Sequence, residues 1–135
     1  MVFKFNRMLV YVKYISILIM SIFYINVGMK HFIEPNWFLH IIPPLLSPIG
    51  LELVYLSGYY EMIFGAMLLI PMFRKIAGYG LILLLIAVYP ANLYLAFYEE
   101  PQLLIGISAF AASWVRLPIQ FIFLGLAYWH AQETN

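Results

Sequence analysis

The chain has 135 residues, of which 65% are hydrophobic and only 10% are charged, and its net charge is +1. A soluble domain of ordinary composition carries about 25% charged residues, so this composition excludes a water-soluble enzyme, a disordered linker and a nucleic-acid-binding module. Cysteine is absent, which excludes disulfides, iron–sulfur clusters and zinc–thiolate sites. The composition predicts a small all-α integral membrane protein with a single domain.

Four segments are apolar over the length that a membrane-spanning helix needs, which is about 20 residues. They cover approximately residues 10–29, 50–72, 76–97 and 113–129. The start of the fourth segment lies between Leu103 and Trp114. Lys13 lies close enough to the end of the first segment to snorkel toward the membrane surface. These segments predict a four-transmembrane-helix bundle.

The first segment follows a basic start, as in a signal peptide, but no small-residue cleavage site comes after it. We therefore expect an uncleaved first helix. Basic residues group on one side of the predicted bundle: Lys4, Arg7, Lys13, Arg74 and Lys75. The positive-inside rule places that side in the cytoplasm, so both termini are expected there.

Two segments on the predicted outer side are unusually apolar for loops. Residues 37–46 contain Pro43 and Pro44, which prevent one continuous helix, and residues 103–112 are too short to span a bilayer. We expect both segments to lie in the outer interface or to fold over the bundle. Whether residues 103–112 enter the bilayer stays open.

Polar side chains from all four segments converge on the outer half of the predicted bundle. At the rise of an α-helix, they lie about 15 to 27 Å above the cytoplasmic boundary: Gln120, Asn26, Glu61, Arg116, Asn92 and His31. The inner half has almost no comparable residues. Ionisable groups inside a membrane are costly and usually functional, so this asymmetry predicts a functional polar cluster.

Helical phase places several of these residues on shared faces. Ser57, Glu61 and Gly65 fall on one side of the second helix at about 100° per residue, which adds Ser57 to the predicted cluster as its seventh residue. Small residues there permit close helix approach. Arg116 and Gln120 are four residues apart and share a face of the fourth helix.

Two interpretations of the cluster stay open. In the first, Glu61 and Arg116 form a structural ion pair, and Asn26, Asn92 and Gln120 join helices by hydrogen bonds. In the second, the same residues line an outward-facing pocket for a small amphipathic ligand. Glu61 and Arg116 then form its charged floor, and a further residue, His31, lies at its mouth.

No intrinsic cofactor or metal is expected. His31 and His40 lie on the opposite side of the membrane from His130, so they cannot form a haem-type pair. A metal site of His31, Glu34 and His40 has loose spacing, and Pro35 interrupts it. The chain is therefore not expected to be an oxidoreductase on its own, and whether it is an enzyme stays open.

Four motifs in chain order resemble those of DoxX-like integral membrane proteins. They are residues 28–35 (GMKHFIEP) with 37–38 (WF) and 42–44 (IPP), residues 57–61 (SGYYE) with Gly65 and Pro71, residues 89–92 (YPAN), and residues 116–120 (RLPIQ). The resemblance covers residues 28–129. It implies a four-helix protein of the bacterial inner membrane.

Relatives in that family are linked to redox complexes, among them a thiosulfate:quinone oxidoreductase, and to receptor-assembly chaperones. The leading hypothesis is therefore an accessory subunit whose pocket takes a quinone-like ligand, in the bilayer beside another membrane or redox protein. An assembly or chaperone-like partner with a purely structural cluster is the alternative. A small transporter is a third hypothesis, which the absence of an internal repeat disfavours unless the chain forms a homo-oligomer.

Overall fold

A computed structural model describes residues 2–133, and this part of the chain is all-helical, without strands, as the composition predicts. The α-helices are α1 (Val2–Ile33), α2 (Pro35–Leu39), α3 (Gly50–Met67), α4 (Arg74–Ala87), α5 (Tyr89–Phe97), α6 (Glu99–Ile105) and α7 (Arg116–Ala131). A 3-10 helix, Pro44–Ile49, precedes α3, and a π-helical segment, Ala111–Val115, leads into α7.

Three helices in the described range are long and apolar enough to cross a membrane: Val2–Ile33, Arg74–Phe97 and Ala111–Ala131. They contain the first, third and fourth predicted segments. The second predicted segment corresponds to α3, which is not among the three. It is less apolar because it carries Glu52, Glu61 and three tyrosines.

Proline sets two interruptions between the long helices. Helix α3 ends at Met67, five residues before the predicted boundary, and a turn containing Pro71 leads into α4. The Nε atom of Arg74 donates to the carbonyl of Leu68 at 2.8 Å across this turn. Val88 separates α4 from α5 just before Pro90, whose missing amide proton cannot continue the helical hydrogen-bond pattern.

The two apolar loop segments form short helices. Residues 37–46 do not form one helix, since Pro43 is extended and Pro44 begins the 3-10 helix. Residues 103–112 include the end of α6, which stops at Gly106 in the left-handed conformation at a φ of 71°. The buried side chain of Gln102 donates to the carbonyl of Leu95 at 2.9 Å and so covers the end of α5.

The long helices pack as two pairs, α1 with α3 and α4 with α7. Helices α1 and α3 touch backbone to backbone: a Cβ atom on Gly58 would lie 2.9 Å from the carbonyl oxygen of Gly28 and 2.5 Å from the Cβ of His31. A Cβ atom on Gly78 would likewise lie 2.6 Å from the Cβ of Ala131. Small residues are therefore required where each pair crosses.

An apolar core joins the two pairs near the basic end of the molecule, which we define by Lys13, Arg74 and His130. Its buried members are Ile17, Met20, Tyr24, Leu68, Ala77, Leu81 and Ala127. At the opposite end, which we call the loop end, α2 and the 3-10 helix lie over the helices. The two pairs enclose a cavity there.

We expect Gly58→Ala to lower the free energy of unfolding in detergent by about 1–3 kcal/mol, because the added methyl group overpacks the α1–α3 crossing. The matched control is Gly125→Ala, since a Cβ atom on Gly125 would meet nothing within 4 Å. That control should be neutral or slightly stabilising. Denaturant titration followed by circular dichroism measures both, and equal stability of the two variants would contradict the prediction.

Candidate functional site

A cavity of about 790 Å³ lies between the two helix pairs at the loop end. Its size falls within the range typical of small-molecule sites. Six of the seven residues predicted for the polar cluster line it: His31, Ser57, Glu61, Asn92, Arg116 and Gln120. We call these six residues the polar belt.

Apolar side chains surround the polar belt on both sides along the helices. Toward the loop end, the cavity is covered by Trp37, Phe38, Ile41, Ile42, Pro43 and Leu46. Toward the basic end, its walls are Phe64, Leu83, Leu84 and Phe123. A mostly apolar cavity with a few convergent polar groups is typical of sites for amphipathic ligands.

Glu61 and His31 meet in the polar belt across the α1–α3 crossing. The Oε2 atom of Glu61 lies 3.4 Å from the Nδ1 atom of His31, and their side chains are only 14% and 8% exposed. The same Nδ1 atom donates to the carbonyl of Val27 at 2.8 Å. The imidazole ring also stacks on Phe38 at a centroid distance of 3.7 Å, so His31 lies beneath the cover instead of at an open mouth.

A chain of hydrogen bonds runs from Arg116 through two amide side chains. The Nη2 atom of Arg116 donates to the Oδ1 of Asn92 at 3.2 Å, and the Nδ2 of Asn92 donates to the Oε1 of Gln120. The Nε2 of Gln120 donates to the carbonyl of Leu85 at 2.9 Å. Leu85 lies in the last turn of α4, where carbonyls lack helical partners, so the chain fastens α7 to the α4–α5 interruption.

The ion pair considered between Glu61 and Arg116 is not formed within residues 2–133. Glu61 turns toward His31 on α1, whereas Arg116 reaches Asn92 on α5. Both still line the same cavity. The charged residues therefore lie on opposite helix pairs, each held by a neighbour from its own side.

Three buried polar atoms of cavity-lining residues have no hydrogen-bond partner in the described part of the chain. They are the hydroxyl of Tyr24, the Oε2 of Glu61 and the Nε of Arg116. A buried polar atom left without a partner costs about 1–3 kcal/mol, and native proteins keep few of them. The residues that carry these atoms, with a hydroxyl, a carboxyl group and a guanidinium group, all line the same cavity.

Asn26 does not belong to the site, which corrects its prediction. Its side chain is exposed, and its Nδ2 atom donates to the carbonyl of Ile22 in its own helix at 3.0 Å. The cavity-facing side of α1 carries Tyr24, Val27 and His31 instead. Ser57 does line the cavity, but its hydroxyl donates to Val54 of its own helix at 3.0 Å.

The basic end holds a second polar cluster that the sequence analysis missed. Lys13 is 3% exposed and donates to the carbonyl of Gln132 at 2.6 Å, so it covers the end of α7. Ser16 is hydrogen-bonded to the Nε2 of the buried His130 at 2.8 Å. The last carbonyl groups of a helix lack a hydrogen-bond partner within the helix. Those at the end of α7 were the one feature of the sequence that could have indicated this cluster.

No three potential metal ligands come together within residues 2–133. The trio of His31, Glu34 and His40 therefore does not form a site in this range.

The sequence profile of a family described as a domain of unknown function (DUF8561) matches residues 20–131. The chain belongs to this family. The family range begins within α1 and ends at Ala131, the last residue of α7, so it includes every residue of the cavity. No curated protein and no solved structure matches the chain.

We expect Gln120→Leu to destabilise the fold by about 1–3 kcal/mol, because it leaves a donor on Asn92 and the carbonyl of Leu85 unpaired. In a double-mutant cycle with Asn92→Leu, the coupling free energy should be about 0.6 kcal/mol and at most about 1.7 kcal/mol, the average and the maximum for hydrogen bonds between membrane helices. Asn26→Leu is the control, since its amide contacts only its own helix. Strictly additive effects at positions 92 and 120 would contradict the network.

We expect Lys13→Met to loosen the end of α7, because the carbonyl of Gln132 loses its donor. Hydrogen exchange of the amides at residues 128–132 should become faster, and stability should fall by about 1–3 kcal/mol. Lys4→Met is the control, because Lys4 is exposed near the start of α1. Unchanged exchange in Lys13→Met would mean that the contact contributes nothing to holding α7.

Proposed function

We propose that this protein is an accessory membrane subunit that binds a small amphipathic, quinone-like ligand in the cavity between its helix pairs. It serves a redox-linked complex of the inner membrane. The observation that carries the proposal is the set of unpartnered atoms on Tyr24, Glu61 and Arg116, which belong to residues lining one largely apolar cavity. A ligand with a polar head and an apolar remainder matches that arrangement.

In the proposed membrane arrangement, α1, α3, the α4–α5 unit and α7 each cross the bilayer. Helix α3 has 18 residues, about 27 Å in length, which is close to the thickness of the hydrocarbon core. Its Glu61 faces the cavity, and its Glu52 lies in the first turn, at the loop end. The pairing of α3 with α1 supports a fourth crossing alongside the apolar helices.

The positive-inside rule sets the proposed orientation. Lys4 and Arg7 lie in the first turns of α1, and Arg74 and Lys75 begin α4. Both of these helix starts lie at the basic end, together with the end of α7. We therefore assign the basic end and both termini to the cytoplasm, so that the covered cavity lies toward the outer side.

The chemistry of the polar belt favours a head that both accepts and donates hydrogen bonds. A carbonyl oxygen of the ligand accepts from the free Nε of Arg116, and a hydroxyl of its reduced form donates to the Oε2 of Glu61. Glu61 can therefore exchange a proton with the ligand when the ligand changes its redox state. Electrons come from a partner protein, which is why the role proposed for this chain is an accessory one.

The resemblance to DoxX-like proteins supports the same proposal. All four of the motifs that carry it contribute residues to the cavity: His31, Glu61, Asn92 and Arg116 come from one motif each.

The hydrogen-bond chain favours a second candidate, an assembly partner whose polar cluster is structural. Asn92 and Gln120 satisfy each other, and Gln120 also satisfies a backbone carbonyl. These are the contacts expected of residues that only hold helices together. Such a protein needs no ligand, and its polar residues would affect folding and the recovery of partner proteins.

Native mass spectrometry of the gently extracted protein, with identification of its lipid-soluble small molecules, separates the two candidates. We expect wild type to carry a stoichiometric ligand, and Glu61→Gln and Arg116→Gln to bind it roughly 10- to 100-fold more weakly, the effect of losing a hydrogen bond to a charged group. Glu52→Gln is the matched control, being exposed on the same helix. A folded wild type that carries a protein partner and no small molecule would favour the assembly partner instead.

A further inference from the structure

A second concave feature continues from the cavity along the surface of α4. It is a groove of about 470 Å³, and its residues are Phe64 of α3 and Lys75, Ile76, Tyr79, Gly80 and Leu83 of α4. Phe64, Gly80 and Leu83 also line the cavity. The groove and the cavity therefore share one boundary.

Gly80 forms the floor of this boundary. The ring of Phe64 rests directly on it, and a Cβ atom on Gly80 would lie 2.5 Å from the Cζ of Phe64. A side chain at position 80 would displace the ring of Phe64 away from α4. The absence of a side chain on Gly80 thus lets the ring of Phe64 lie against α4 at the boundary of the cavity and the groove.

Among the large apolar side chains that line the cavity, the two most exposed lie on α3 and α4: Leu56 by 52% and Leu83 by 69%. Tyr60 of α3, which also lines the cavity, is 40% exposed. Between α1 and α7, the ring of Phe123 contacts those of Phe23 and Tyr24 at centroid distances of 5.2 and 6.3 Å. The loop end is covered by the apolar segment around Phe38.

We propose that the groove holds the apolar chain of the molecule whose head lies in the polar belt, and that this molecule is loaded from the bilayer between α3 and α4. The inference rests on the proposed function and narrows it. The ligand class is a lipid with a compact, uncharged polar head and one long chain, such as a prenyl or alkyl chain.

Two features favour this occupant. The groove is continuous with the cavity through three shared residues, so a chain that leaves the cavity sideways meets the groove directly. From Leu83 to Lys75 it extends over eight residues of α4, about 12 Å, with no charged group before Lys75. A free headgroup has nothing to bind along that stretch, whereas a hydrocarbon chain does.

The test measures the binding of two benzoquinones to the purified full-length protein in detergent, one with a decyl chain and one without a chain. Leu83→Trp fills the shared boundary, and because Leu83 is exposed the substitution disturbs no core. Ile86→Trp is the matched control: Ile86 is 56% exposed on the same helix and lines neither feature. Because Leu83 lines the cavity as well as the groove, the readout is the difference between the two compounds: we expect Leu83→Trp to weaken binding of the decyl compound at least tenfold more than binding of the chain-free ring. Ile86→Trp should match wild type for both.

The outcomes separate this inference from the proposed function. If Leu83→Trp binds the decyl compound as wild type does, or loses both compounds equally, the chain does not occupy the groove. If Leu83→Trp weakens binding of the decyl compound while Glu61→Gln weakens binding of neither compound, the groove assignment stands and the proposed polar site fails. Failure of wild type to bind either compound overturns both. An effect of Lys75→Gln on the decyl compound as large as that of Leu83→Trp indicates a headgroup at Lys75, and overturns the inference.

Discussion

The backbone contact between α1 and α3 is the constraint on which the rest of the arrangement depends. Gly28 and Gly58 let the two helices meet at a distance that no side chain would permit. The same crossing brings His31 against Glu61, since His31 follows Gly28 and Glu61 follows Gly58 by the same three residues, just under one helical turn. With α4 and α7 packed equally closely through Gly78, each pair is compact, and the remaining space lies between the pairs.

Polar residues in that space divide into two groups with different energetics. Asn92 and Gln120 form hydrogen bonds with each other and with the backbone, so their burial costs little free energy. Tyr24, Glu61 and Arg116 each keep an atom without a partner in the described chain. A low dielectric raises both the free-energy cost of an unpaired polar atom and the strength of a hydrogen bond made to that atom. A molecule that pairs with these atoms therefore gains more binding free energy than it would from the same contacts at a protein surface. This difference is the physical basis for the proposed binding of a polar head group beside Tyr24, Glu61 and Arg116.

Counting residues along the helices predicted the position of these side chains along the helix axes better than the side of the helix on which each one lies. The rise of a helix is fixed, so counting residues placed His31, Glu61, Asn92, Arg116 and Gln120 in the outer half of the predicted bundle, and all five line one cavity. Asn26 has the same height but points away, because depth carries no information about which side of α1 meets its neighbours. The contact of Lys13 could not be predicted for a related reason: its partner is a carbonyl at the end of α7, more than a hundred residues away. The groove beside Gly80 depends on how α3 and α4 lie together, which no local pattern encodes.

The lengths of α1 and α3 differ in a way that matters for a bilayer. Helix α1 has 32 residues and α3 has 18, which correspond to about 48 Å and 27 Å, against a hydrocarbon core of about 30 Å. Since the glycine contact fixes the two helices near the loop end, the excess length of α1 falls at its N-terminal end. There Lys4 and Arg7 alternate with exposed Phe3 and Phe5. In the proposed membrane arrangement, this overhang would place aromatic rings and positive charge at the depth of lipid headgroups, where hydrophobic mismatch would let the first turns of α1 bind anionic lipids.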